Sequence, residues 1–144
     1  MKNKLAVFIG VTAILASCSA TTNFKTAQPD ISLKVNKKPT FEIHKESSQT
    51  YSTTSFGQYK FKAEKDGMEP MYGLIPLKFN GGYLAADILF FAPAMFFNLR
   101  EVFPYYEIDI EKNEIRYKKD ESDEWIIYKP KPEEIQHAKT YFGE

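Results

Sequence analysis

Few side chains in this 144-residue chain could carry chemistry. There is one cysteine, Cys18, and there are two histidines, His44 and His137. A metal centre needs several His, Cys or acidic ligands at short spacing. Neither histidine has such a set: His44 has only Glu42 and Glu46 near it, at alternate positions of an extended run. Ser52 and Ser55 sit in a β-prone polar run without the flanking glycines of a nucleophile elbow. Gly81-Gly82 is a turn signal that lacks the rest of a phosphate loop. Asp120, Glu121, Asp123 and Glu124 lack the central glycine and terminal Glu of a calcium loop. The residues therefore predict no enzyme, no metal and no cofactor. Cys18 is left as the residue with chemistry attached to it.

Its surroundings say which chemistry. The chain opens Met1-Lys2-Asn3-Lys4, runs through "LAVFIGVTAILA", and reaches Ser17-Cys18-Ser19. Two lysines, a short apolar run and small residues are the layout of a secretory signal. The apolar run falls short of the roughly 20 residues that a bilayer span requires. Leu15-Ala16-Ser17-Cys18 resembles a bacterial lipobox. That resemblance implies cleavage after residue 17, a diacylglycerol on the Cys18 thiol and acylation of the new amine. Two or more acyl chains anchor a protein stably where one holds it only reversibly. Ser19 follows the cysteine where Asp is absent, which in a Gram-negative host implies transfer to the outer membrane. The expected localisation is the cell envelope, lipid-anchored.

The elements that must stand behind such an anchor follow. Residues 1–17 read as the signal peptide, and residues 18–30 as the lipidated cysteine with a polar tether closed by Pro29. Residues 31–144 then form one domain. With 19 basic and 19 acidic residues in the whole chain, no electrostatic case for nucleic acid arises. Nine tyrosines and twelve phenylalanines suit strands and interfaces.

Ile31, Leu33 and Val35 alternate with polar residues, which predicts a half-buried strand. Asn36 to Pro39 turns the chain, and Thr40 to Ile43 resumes the alternation. Ser47 to Ser55 reads as an edge strand or loop, and Tyr59, Phe61 and Ala63 as the next strand. Met71 to Phe79 is extended but interrupted by Gly73 and Pro76, as at an edge or bulge. Tyr105 to Tyr117 predicts a hairpin around Glu111-Lys112-Asn113, and Trp125 to Tyr128 a short strand docked on it. Pro132 with Glu133 and Glu134 marks a helix start. Ile135, Ala138, Tyr141 and Phe142 recur at helical spacing, so residues 132–142 form an amphipathic helix that caps the sheet. The expected fold is mainly β, a small antiparallel sheet or sandwich, with a broken apolar helical segment and a C-terminal helix.

"GQYKFKAEKDGMEP", Gly57 to Pro70, resembles the strand-turn signature of PEGA-type β modules, which recur in bacterial surface proteins and lipoproteins. Gly57, Tyr59, Phe61, Lys65, Gly67 and Pro70 carry the likeness, while Met68 stands where an aromatic is usual and no Pro-Glu-Gly-Ala string occurs. The resemblance covers at most Ile31 to Phe79 and implies a β module with no catalytic residue.

One stretch stands apart. "YLAADILFFAPAMFFNL", Tyr83 to Leu99, is nearly uninterrupted hydrocarbon. A single span is disfavoured by Asp87 and Pro93. A buried core helix would leave apolar residues all around to cover. The preferred reading is a broken helix with one face on the sheet and Phe90, Phe91, Phe96 and Phe97 as membrane contacts, bordered by Arg100, Glu101, Tyr105 and Tyr106. Together these features predict a membrane-anchored envelope lipoprotein with a non-catalytic binding or structural role. Its partners are membrane lipid through acylated Cys18 and an envelope protein. The alternative is a membrane-active or exclusion factor working through residues 83–99.

Overall fold

The computed structural model describes residues 19–52, 58–79 and 100–144. The first half holds β1 (Ser19–Thr26), β2 (Ile31–Val35), β3 (Phe41–Ile43), β4 (Glu46–Ser52), β5 (Lys60–Glu64), β6 (Met71–Leu74) and β7 (Leu77–Phe79). The second holds β8 (Arg100–Val102), β9 (Tyr105–Asp109), β10 (Glu114–Lys118), β11 (Ile126–Tyr128) and helix α1 (Pro132–Phe142). A five-stranded sheet, β11-β10-β9-β1-β4, faces a four-stranded sheet, β3-β2-β5-β6, with β7 and β8 as a separate ribbon. The fold is mainly β with one C-terminal helix, as the alternation predicts. The broken helix expected over 83–99 lies outside the described residues.

The tether expected over residues 18–30 is corrected. Ser19 to Thr26 is an interior strand, antiparallel to β4 and parallel to β9. Alternation drives it: Thr22 and Phe24 are fully buried, while Thr21, Asn23 and Lys25 point outward. The chain beyond it is pinned too. Ala27 N–H donates to the Ile108 carbonyl at 2.9 Å, and the Gln28 amide bonds Asp109 at 2.8 Å and Ile110 N–H at 3.0 Å. The domain therefore starts at residue 19 rather than 31. The parallel β1–β9 pair also means that the sheets are not wholly antiparallel.

The core lies between the sheets. Phe24 stacks on its register partner Tyr106 at 5.2 Å and reaches across to Phe41 of β3 at 5.7 Å. Tyr51 of β4 meets Tyr59, beside β5, at 5.4 Å. Such aromatic pairs contribute about 0.5–1.5 kcal/mol each beyond their burial. Leu33, Phe61, Ala63, Ile108 and Ile115 fill the remainder with no exposed surface. The outward face of the larger sheet is polar, and one row across it alternates in sign: Glu46, Lys25, Glu107, Arg116. Opposite charges set across from one another support a sheet register.

Helix α1 packs on the outer face of β5 and β6, burying Ala138 and half-burying Ile135 and Phe142. Pro132 opens it, the Glu134 carboxylate accepts from Lys131 N–H at 2.8 Å, and Gly143 closes it at φ 81°. The connection from β11 passes through buried Pro130, which wedges against Gly73 of β6. The β11 strand docks on β10 as expected, yet its isoleucines Ile126 and Ile127 stay exposed on the sheet edge.

Candidate functional site

Cys18, the expected lipid attachment site, and the expected membrane contacts Phe90, Phe91, Phe96 and Phe97 lie outside the described residues. Their flanks are described, and two relationships constrain them. Ser19, the residue after Cys18, is already paired with Ser52 at the end of β4, so no spacer separates the cysteine from the sheet. An acyl chain on Cys18 would hold this end of the sandwich close against a membrane.

The second relationship is the β7–β8 ribbon. Phe79 is the register partner of Arg100, with Lys78 opposite Glu101 and Leu77 opposite Val102. Lys78 Nζ lies 2.9 Å from Glu101 Oε1. Phe79 and Arg100, the residues that flank 80–99, thus sit side by side. A single crossing that left residues 100–144 beyond a bilayer would tear this ladder apart. Among the described residues, no helix is long and apolar enough to cross a membrane. The ribbon is stitched to the core by Tyr106, whose hydroxyl donates to the Pro76 carbonyl at 2.5 Å and accepts from Phe103 N–H at 2.9 Å. Burial raises the Tyr106 phenol pKa, and the hydroxyl keeps its proton.

The end of the molecule that carries Ser19 also gathers residues that no sequence spacing connects. The β2–β3 turn brings Lys37 and Lys38 beside Tyr51, Tyr59 and Tyr141, around a cavity of about 520 Å³. Asn36 makes this turn possible by adopting φ 48°, while its Oδ1 accepts from Lys60 N–H at 2.8 Å. Lys38 Nζ stands 4.1 Å above the Tyr51 ring and donates to the Thr50 carbonyl. These residues come from four separate elements, and only the folded topology unites them.

The opposite end is acidic. Asp30, Glu42, Glu64 and Asp66, with His44 and Lys65, line a cavity of about 670 Å³. His44 Nδ1 lies 2.6 Å from Asp30 Oδ1 and its Nε2 lies 3.8 Å from Glu42 Oε2. The hydrogen bond to Asp30, then the Asp30 and Glu42 charges, raise the His44 pKa above its usual range. Asp30 is lowered in return, chiefly by the same bond. Among the described residues, no hydroxyl or thiol bonds the ring, and no group of three or more His, Cys, Asp or Glu side chains is arranged to hold a metal. An ion pair on an open surface is what this arrangement provides.

Comparison with family models, with curated proteins and with solved structures gives no match to this chain.

Proposed function

We propose that this protein is a lipid-anchored component of a bacterial cell envelope with a non-catalytic binding or structural role. The observation that carries the reading is Leu15-Ala16-Ser17-Cys18 placed directly before the first strand of a folded domain. A cysteine in that position gives the domain a fixed height and a fixed end towards the lipid. The likeness of Gly57–Pro70 to PEGA-type modules supports a binding or structural role for the β domain. The exposed His44–Asp30 pair adds no catalytic reading to it.

The experiment is metabolic labelling. The native chain should incorporate labelled palmitate and run as the processed form. Cys18→Ala should take up none and accumulate as precursor. Equal labelling of the two would end the lipoprotein reading. We also propose that residues 80–99 contact the membrane that holds the anchor, because β8, just ahead of Tyr105 opposite Asn23, lies beside β1 and β4.

A further inference from the structure

We propose that the cavity walled by Tyr51, Tyr59 and Tyr141 and rimmed by Lys37 and Lys38 receives an anionic phospholipid headgroup of the membrane that carries the anchor. The inference rests on the reading of Cys18 as a lipid attachment site, and it adds a second, headgroup-specific contact to it.

Position is the first argument. Lys38 donates to the Thr50 carbonyl, and Thr50 is the register partner of Thr21; Tyr51 is the partner of Ala20 and Ser52 of Ser19. Neighbouring strands lie about 4.8 Å apart. The lysine rim is thus within a few ångströms of the first residues after Cys18, at the end that acylation would press against lipid.

Charge is the second argument. Among the described residues, no carboxylate lines the cavity. Lys60 adds a third cation nearby, with Nζ 4.9 Å from the Tyr141 ring centroid. Lys37 pairs with no acid among the described residues. Lys38 spends one N–H on Thr50 and keeps two for an incoming phosphate. The far end of β1 points instead to the acidic cavity of Asp30, Glu42, Glu64 and Asp66. An anionic headgroup is therefore attracted to this lysine rim and repelled by the acidic cavity at the other end. The acidic turn 120–124 joins β10 to β11 at the same end of the sheet as Ser19, but on the opposite edge from β4 and its Tyr51.

Shape and polarity are the third. Tyrosine rings present an apolar body with a polar tip, which is why they collect at membrane–water boundaries. A phosphate would meet the ammonium groups at the mouth, and the glycerol and first methylenes would lie along the exposed Tyr141 ring, above the buried Tyr51 and Tyr59. Each lysine near an anionic leaflet strengthens association by about fivefold, so Lys37 and Lys38 together account for about 25-fold.

The test uses the full chain reconstituted in two nanodisc types, pure phosphatidylcholine and a mixture of one part phosphatidylglycerol to two parts phosphatidylcholine. Amide hydrogen exchange of Val35–Pro39 and Thr50–Ser52 is the readout, and intact mass reports acylation of Cys18. Slower exchange in the phosphatidylglycerol discs alone, lost in high salt and in Lys37→Glu/Lys38→Glu, is the expected result. Equal exchange in both discs from a chain with acylated Cys18 overturns the headgroup site and leaves the anchor standing. An unacylated chain that still shows the lipid-dependent protection does the reverse. Protection by excess inorganic phosphate in phosphatidylcholine discs would overturn the lipid assignment in favour of a soluble phosphate ligand.

Discussion

Gly73 faces Pro130 so closely that a Cβ on the glycine would stand 2.8 Å from two atoms of the proline ring and 2.9 Å from the Phe61 ring. The contact joins β6, in the smaller sheet, to the connection that leaves β11 of the larger one. Real Cβ atoms do not tolerate such distances, so a methyl group must displace the connection or the core. Gly73→Ala should destabilise the fold by about 1–3 kcal/mol, the usual cost of overpacking. Urea unfolding of Gly73→Ala, Pro130→Ala and the double variant measures it. Because both changes act on one contact, the double variant should lose less than the two single losses added. Strict additivity would show that the wedge is not the cause.

Phe24 gives the second prediction. It is fully buried, stacked on Tyr106 and in contact with Phe41 across the sandwich. Phe24→Ala should cost about 3–5 kcal/mol, the range for emptying a buried aromatic position. Lys25→Ala, one residue on and facing outward, should cost far less. A flexible tether would show no difference between the two. Thermal unfolding of both variants decides the matter.

That contrast locates what the sequence could and could not convey. The β2 strand, the β9–β10 hairpin and α1 were legible because their apolar residues recur strictly at strand or helix period. The β1 strand was not. Its inward positions include Ala20 and Thr22, its outward ones Thr21 and Asn23, and that composition matches a polar linker as well as a strand. What makes it a strand is pairing with β4 on one side and with β9, more than 75 residues away in the chain, on the other, and no local pattern encodes partners so distant. The site divides the same way. The lipobox-like string is contiguous, so the proposal at Cys18 needs no fold, whereas Lys37, Tyr51, Tyr59 and Tyr141 become neighbours only when both sheets and the helix are assembled.

Arg116 supplies the third prediction. Its guanidinium lies 2.8 Å from Glu107, 3.0 Å from Glu114 and 3.6 Å from Asp109. The Asp109 and Glu114 side chains are nearly buried. Burial pushes Asp109 up, but the Gln28 amide, Lys112 N–H and the Lys112 and Arg116 charges outweigh it and leave the carboxyl below its usual pKa. A lowered carboxylate contributes stability above its unfolded value, and that contribution fades as pH falls through the folded one. Arg116→Met removes a guanidinium that faces three acids. It should cost about 2–4 kcal/mol at neutral pH, with the gap to the native chain narrowing on acidification as Asp109 becomes neutral. Denaturant curves at several pH values test this; a pH-independent gap would assign the loss to packing.

The His44–Asp30 pair sets a pH window. The hydrogen bond to Asp30 raises the His44 pKa from 6.5, so its contribution is complete below 6.5 and is lost as pH rises through the folded value. Asp30 is lowered from 3.8, chiefly by the bond to His44, so its contribution is present above 3.8 and is lost as pH falls through the folded value. The ion pair is therefore whole between about pH 4 and 6.5 and loosens on either side. Both side chains are exposed, 72% for His44 and 68% for Asp30, so solvent screens the pair and its effect on global stability is small. The ring titration itself is the sensitive readout. By proton NMR the His44 midpoint should lie above 6.5 in the native chain and return towards 6.5 in urea. Asp30→Asn should lower the native midpoint markedly, and Glu42→Gln should lower it less, because Glu42 acts only through charge at 3.8 Å. A native midpoint that ignores Asp30→Asn would mean that the 2.6 Å contact does not persist in solution, and the acidic end of the sandwich would then carry an unpaired histidine.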